Sequence, residues 1–410
     1  MIDWVSPLRP DRTDIAEYSH RVQSALEGHF SLNLIEPNKA EDLGSYALKG
    51  DTFFNIGNDA RFHGPILRAV QRHSGIVVAH DYRIQDLIIA EFVRQGAGWE
   101  DRYQAMMSRI YGAEGAAAAR QFCQGRQSTL QLAVDFPGIE LVAERALCMV
   151  THNPLLAGEI AERTGLFCAT LPLPFPITSD TAESADRPLE ADQTIDLLVF
   201  GYIGDNRKIA TICELLSERG DPRFRLHVAG APGPGVRALL DSLQATGTLV
   251  DHGFVPEREL DELIRSSALV INLRDPSMGE VSGSQLRIFA NHGLSVVTDH
   301  GWYSSLPDDC VLKVKPGEAK KGLNMVLQQL AKDPSAFKGF RERGFEHVRR
   351  NHSLERFADA FRAFMRDSGE ALRHGRKLLV ADRIRFLHHQ VNQVQPQPAP
   401  FYLKKADELV

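Results

Sequence analysis

Thr194-Ile195-Asp196-Leu197-Leu198-Val199-Phe200-Gly201-Tyr202-Ile203-Gly204 is an almost unbroken apolar run closed by glycine, and it leads through Asp205-Asn206-Arg207-Lys208 into a helical pattern. A strand without polar alternation is covered on both faces, the condition of a parallel sheet. The pattern repeats on either side. RLHVAGAPG (225–233), TLVDHGFV (248–255), SALVINLR (267–274) and LSVVTDHG (294–301) follow it, while FFNIGN (53–58), GIVVAHD (75–81) and ALCMVTHN (146–153) precede it. Such runs alternating with longer helical patterns are the mark of stacked βαβ units, so two parallel α/β sheets are expected. The segment 176–192 is polar, flanked by Pro176 and Pro188 and without period, and reads as an exposed linker. The chain thus divides into 1–175, the linker, a more regular second unit over 193–350, a helical stretch over 351–378 and a tail over 379–410. In the helical stretch Leu354, Phe357, Ala358, Phe361, Phe364 and Met365 recur at helical spacing behind Ser353 as N-cap. The Gln- and Pro-rich stretch 390–400 is given no regular structure.

Composition narrows the function. At 43% hydrophobic and 24% charged the chain is of ordinary globular type, neither disordered nor fibrous. Its 47 basic and 53 acidic side chains leave a net charge of -6, so no general field exists to hold nucleic acid or anionic lipid. Cys123, Cys148, Cys168, Cys213 and Cys310 lie far apart in or beside apolar runs, without a C-x-x-C pair, and read as buried thiols of a reducing compartment. With no spanning apolar stretch and no secretory start, the expected location is cytoplasmic.

Ligands of open α/β sheets sit beyond the carboxyl ends of the strands, so chemistry is sought in the loops there. The stretch 272–285 joins Arg274 and Glu280 to the small-residue turn Ser282-Gly283-Ser284 at a helix start. Its backbone N–H groups, aided by the helix dipole, suit a phosphate or diphosphate; the alternative is ordinary capping by Ser282 or Ser284. The loop 200–208 offers Arg207 as a fork and Lys208 as a point charge for the same diphosphate, or else a solvated helix start. Gly230-Ala231-Pro232-Gly233-Pro234-Gly235 is not G-x-G-x-x-G in register, which argues against a nicotinamide or flavin. His63, His80 and His152 end strands or closely follow one; His80 with Asp81 suits acid–base work or contact to a sugar, the alternative being a satisfied structural residue. No cluster has metal-ligand spacing, and no G-x-S-x-G, Walker or kinase motif occurs.

In order along the chain, GYIGDNRK (201–208), LHVAG (226–230), the stretch from His252 to Glu280, NHGLSVVTDHGWYSSLPDD (291–309) and HSLERFADAF (352–361) resemble the C-terminal half of retaining glycosyltransferases of family 4. The resemblance is to the subgroup with Pro-Thr-x-Gly-Glu-x-Ser-Gly and Gly-Trp-x-x-Glu-Leu-Pro-Asp motifs, and residues 6–19 are similar to the same family's Pro-rich N-terminal loop. It implies a GT-B fold: two Rossmann-like domains with parallel sheets facing a central cleft, the first holding the acceptor and the second the nucleotide-sugar. By that resemblance Glu280, His80, Arg207 and Lys208 carry the catalysis. Gly201, Tyr202, Arg274, Ser282, Gly283, Ser284, Phe254 and Val255 hold the donor, and Arg12, Asp14, Asn58, Asp81 and His152 face the acceptor. Three positions depart from the pattern: Ile288 stands where a second Glu holds the ribose, Tyr202 where an Arg follows the glycine, and Asp14 where Gly is usual.

The reaction so implied moves a hexosyl group from a UDP- or GDP-linked sugar to a hydroxyl of a glycan or lipid-linked saccharide, with retention. No cofactor and no metal is expected, since fixed cations and N–H groups answer the charge that builds on the leaving diphosphate. Nucleic acid is excluded as a partner, peripheral contact at the inner face of the membrane is compatible, and no oligomeric state is assigned. The rivals are a nucleotide-sugar epimerase or hydrolase on the same plan and a non-catalytic transferase-like subunit.

Overall fold

The computed structural model describes residues 1–11, 13–37, 51–177, 194–233, 235–245, 247–333 and 337–394, excluding the side chains of Asp205, Ser242 and 382–394. By its contacts the chain forms two compact units. The first comprises Met1–Pro172, Met278–Glu280 and Phe357–Val410; the second comprises Leu173–Ser277 and Val281–Arg356.

The first unit is built on β1 (Ile2–Val5), β2 (Leu32–Ile35), β3 (Asp51–Ile56), β4 (Gly75–Ala79), β5 (Ala146–Thr151) and β6 (Cys168–Thr170), ordered β2-β1-β3-β4-β5-β6. All neighbours are parallel. The central strands are apolar on both faces because helices cover both: Phe53, Phe54, Ile56, Ile76, Val77 and Val78 are all buried. The second sheet uses β7 (Ile195–Ile203), β8 (Phe224–Pro232), β9 (Leu249–Gly253), β10 (Leu269–Asn272), β11 (Ser295–Thr298) and β12 (Leu312–Val314), ordered β12-β11-β10-β7-β8-β9 and again parallel throughout. This is the doubly wound order 3-2-1-4-5-6 of the dinucleotide-binding fold, and its direction reverses between β7 and β10. Gly201 pairs with Gly230 across β7 and β8, and a Cβ on Gly230 would fall 1.9 Å from the Gly201 carbonyl oxygen. The two strands approach there more closely than any side chain allows.

The sequence runs identified β3, β4, β5 and β7 to β11. β1, β2, β6 and β12, each three or four residues long and at or next to a sheet edge, fall outside those runs. The stretch 351–378 is not one helix: Phe340–His352, Leu354–Asp367 and Gly369–Val394 follow one another, and Ser353 Oγ accepts from Arg356 N at 3.2 Å, as an N-cap does. From Phe357 the middle helix packs on the first unit, with Phe361 fully buried among Trp4, Phe30, Phe53, Phe357 and Phe364. The expected tail is helical as far as Val394, since Leu, Ala, Arg, Lys and Gln favour helix and the first proline beyond Gly369 is Pro396; 395–410 lie outside the described residues, as does most of the expected linker. Cys148, Cys168, Cys213 and Cys310 are buried, Cys123 is half-buried, and all are free thiols. Among the described residues no helix is long and apolar enough to cross a membrane.

Candidate active site

In the second unit the loops that leave β7 and β10 belong to the neighbouring strands at the reversal point, where open α/β sheets take their ligands. The loops are bonded together. Asp275 N donates to the Asn206 carbonyl at 2.9 Å, and Lys208 Nζ lies 3.2 Å from the Asp275 carboxylate. Arg207 Nη1 donates to Asn272 Oδ1 at 2.6 Å, Asn272 Nδ2 to Gln285 Oε1 at 2.9 Å, and Gln285 Nε2 to Ser295 Oγ at 2.8 Å. This buried chain makes Arg207, only 2% exposed, a brace between strand ends, while Lys208 keeps 30% of its side chain in solvent. Gly201, at φ 94°, leaves room for that brace: a Cβ there would stand 3.1 Å from Arg207 Nη2. Lys208 sits at φ 56°, a left-handed conformation costing a non-glycine residue about 1 kcal/mol.

Ser282 caps the helix Gly283–Ala290, its Oγ accepting from Gln285 N at 3.1 Å, so the capping role is realised. Nothing lies within 4 Å of a Cβ built on Gly283, which leaves open space before the first turn. Arg274 is half-buried, its backbone N donating to Thr298 Oγ1 at 3.1 Å. Tyr202 and Phe254, 61% and 72% exposed, project from the ends of β7 and β9, whereas Val255 packs against the cluster of Leu198 and Phe200.

The tripeptide Met278–Glu280 belongs with the first unit. Met278 O accepts from Tyr82 N and Arg83 N at 3.0 and 3.1 Å, and Gly279 O accepts from Asn153 Nδ2 at 3.0 Å. Gly279 has φ 89°, and a Cβ there would lie 2.6 Å from Tyr82 Cβ, so only glycine fits. Glu280 is thereby held beside the segments that follow β4 and β5, its Oε2 accepting from Met278 N at 2.7 Å. Asn153, which no sequence argument singled out, is visible only as the turn-forming end of ALCMVTHN.

His80 and His152 leave β4 and β5 side by side, their ring centroids 5.2 Å apart, and Tyr18 meets both edge-on at 4.5 and 5.0 Å. Tyr18 is 2% exposed, and burial pushes its phenol above the ordinary range. Burial, with the imidazoles of His152 and His63 nearby, holds His80 well below the usual histidine range, and burial brings His63 down to about 4. Asp81 and Asn58 are bonded to each other, Asn58 N donating to Asp81 Oδ2 at 2.8 Å, and Asn58 Oδ1 accepts from Leu87 N at 3.1 Å in the first turn of the helix Gln85–Arg94. Asp14 is exposed in the first turn of the helix Asp14–Leu26, behind Thr13 as N-cap. Arg12 lies outside the described residues. The second unit therefore carries Arg207, Lys208, Arg274 and the 282–284 turn on the loops after β7 and β10, and the first unit pairs His80 with His152 and holds Glu280 on the tripeptide bonded to Tyr82, Arg83 and Asn153.

Two six-stranded parallel sheets with flanking helices define the GT-B fold. Among solved structures, the chain is similar to HepE of Anabaena in complex with UDP and glucose (9% identity, 89% of this chain and 99% of that one, TM-score 0.54). It is similar also to WaaG, a glycosyltransferase involved in lipopolysaccharide biosynthesis (15% identity, 90% and 100%, TM-score 0.51). A third is the sucrose-phosphate synthase of Thermosynechococcus elongatus (13% identity, 90% and 99%, TM-score 0.53). No protein-family model matches the chain, and no curated protein matches it in sequence. At such identities the likeness establishes the fold.

Proposed function

We propose that the chain is a glycosyltransferase that moves a sugar from a nucleotide diphosphate to a hydroxyl of a glycan or lipid-linked saccharide, with retention at the anomeric carbon. The observation that carries the reading is the bonded pair of loops at the β7–β10 reversal, which puts an accessible cation, Lys208, and an open helix start, Gly283-Ser284, at one end of one sheet. Proteins of similar fold lend it weight: HepE is in complex with UDP and with UDP and glucose, and WaaG is a glycosyltransferase.

Departure of the nucleotide builds negative charge on its diphosphate, and preorganised donors stabilise that charge without reorganising. Lys208 supplies a point charge and the amides of Gly283 and Ser284 supply N–H groups. Arg207 acts through Asn272, stiffening the loop, in place of touching the phosphates. Glu280 and His80 are assigned to the sugar, and Asp14 and His152 to the acceptor side. Because cations and amides already meet the diphosphate, the reaction runs without a divalent ion. Peripheral contact with the inner face of a membrane belongs to the lipid-linked version of this reading.

Assay with a panel of UDP- and GDP-sugars, in the presence of chelator and with a glycan or lipid extract as acceptor, tests this. The expected outcome is acceptor-dependent release of nucleotide diphosphate, with Lys208→Ala lowering kcat by about a hundredfold, the worth of one such donor. Release that needs no acceptor would favour a hydrolase, and binding without turnover a non-catalytic subunit.

A further inference from the structure

Asn55 is the penultimate residue of β3 with no solvent exposure, and both of its polar ends are committed. Its side-chain Nδ2 donates to the Val5 carbonyl at 3.1 Å. A carbonyl only accepts, so the amide orientation is settled and Oδ1 is the atom that faces His80 Nε2, also at 3.1 Å. An amide oxygen accepts and cannot donate; the proton of a neutral His80 must therefore sit on Nε2, leaving Nδ1 as a lone pair. Burial and the neighbouring rings of His152 and His63 oppose the charging of this imidazole and favour its neutral form. The adjacent histidines obey the same logic with the other nitrogen. His63 Nδ1 lies 3.1 Å from the Asn55 carbonyl, and His152 Nδ1 2.9 Å from the Leu171 carbonyl, so both carry the proton on Nδ1. The contact of His80 is to a side-chain oxygen through Nε2, where those of His63 and His152 are to backbone carbonyls through Nδ1, and it sets His80 as the Nε2–H form.

We propose that Asn55 is a positioning residue whose amide fixes His80 as the Nε2–H tautomer, so that Nδ1 accepts a hydrogen bond from a hydroxyl of the bound sugar. The proposal rests on the transferase reading for its ligand, but the tautomer itself belongs to the ligand-free protein. A sugar hydroxyl is donor and acceptor at once, and an imidazole presenting a lone pair selects the donating arrangement; an imidazole presenting N–H would reverse it.

The test uses the full chain with 15N-labelled histidine, the His80 signals being identified by their loss in His80→Gln. Long-range 1H–15N correlation of the ligand-free protein is expected to show a protonated Nε2 and an unprotonated Nδ1 at His80. Asn55→Leu should move that population toward Nδ1–H, and Asn55→Asp, which still offers an oxygen to Nε2–H, should keep Nε2 protonated. In turnover Asn55→Leu is expected to lower kcat by about tenfold, roughly one hydrogen bond, with little change in the KM for the nucleotide sugar. Asn55→Asp should retain more of the kcat than Asn55→Leu does. A merely structural role would order the two variants by thermal stability and leave the tautomer unmoved. A wild-type His80 protonated on Nδ1, or an Asn55→Leu protein with an unchanged tautomer, overturns the proposal. Absence of turnover in every form, with the tautomer as expected, would instead count against the transferase reading.

Discussion

At the scale of the residue, His63 shows how a buried ring couples the fold to pH. It is 2% exposed, and burial lowers its pKa from 6.5 to about 4. The unfolded chain therefore binds a proton that the folded one refuses. Stability from this residue is complete above pH 6.5 and is lost as pH falls toward 4, by up to roughly 3 kcal/mol. Urea midpoints followed from pH 7 to 4 are expected to fall accordingly, with His63→Gln removing part of that slope; parallel slopes for the two proteins would contradict it. The same scale shows what reading along the chain misses. His80, Glu280 and Lys208 are legible because a charged or titratable residue follows an apolar run. Asn55, Asn153, Asn272 and Gln285 are not, because a polar amide inside or beside a strand has no signature until its partners, 126 residues away in sequence for Asn153 and Gly279, are brought to it.

Among the elements, the helix Gly283–Ala290 and the helix Leu354–Asp367 make contrasting cases. The first starts at a capped terminus, so Ser282→Ala is expected to cost about 1 kcal/mol of stability by removing the Oγ acceptor of Gln285 N. Thermal unfolding measures this, and a shift no greater than experimental error would show the cap to be dispensable. The second is held by an aromatic stripe. Phe361 is fully buried against Trp4, Phe30 and Phe53, and Phe361→Ala should cost about 4 kcal/mol through lost burial and the cavity left behind. Its stripe is legible as period 3.6, and so is its N-cap. The surface it covers is not, because periodicity gives a face and no address.

For the whole molecule, each unit has its own hydrophobic core, so unfolding in two transitions is expected. UDP or GDP at a hundred times its Kd should stabilise the second unit by about 2.7 kcal/mol and raise the upper or lower transition that belongs to it. Lys208→Ala should abolish most of that shift, and a nucleotide that moved only the first unit's transition would misplace the donor site. Two parallel sheets and most of their strands are written in the chain itself, since uninterrupted apolar runs alternating with helical patterns pack as parallel sheets covered on both faces. Family likeness in the loops then named the candidate residues. What required the tertiary structure was the strand order with its reversal between β7 and β10, the burial of Arg207, the attachment of Met278–Glu280 to the first unit, and the meeting of Asn55 with His80. Each depends on which distant atoms meet, and hydrogen bonds between remote residues leave no trace in local hydrophobic pattern.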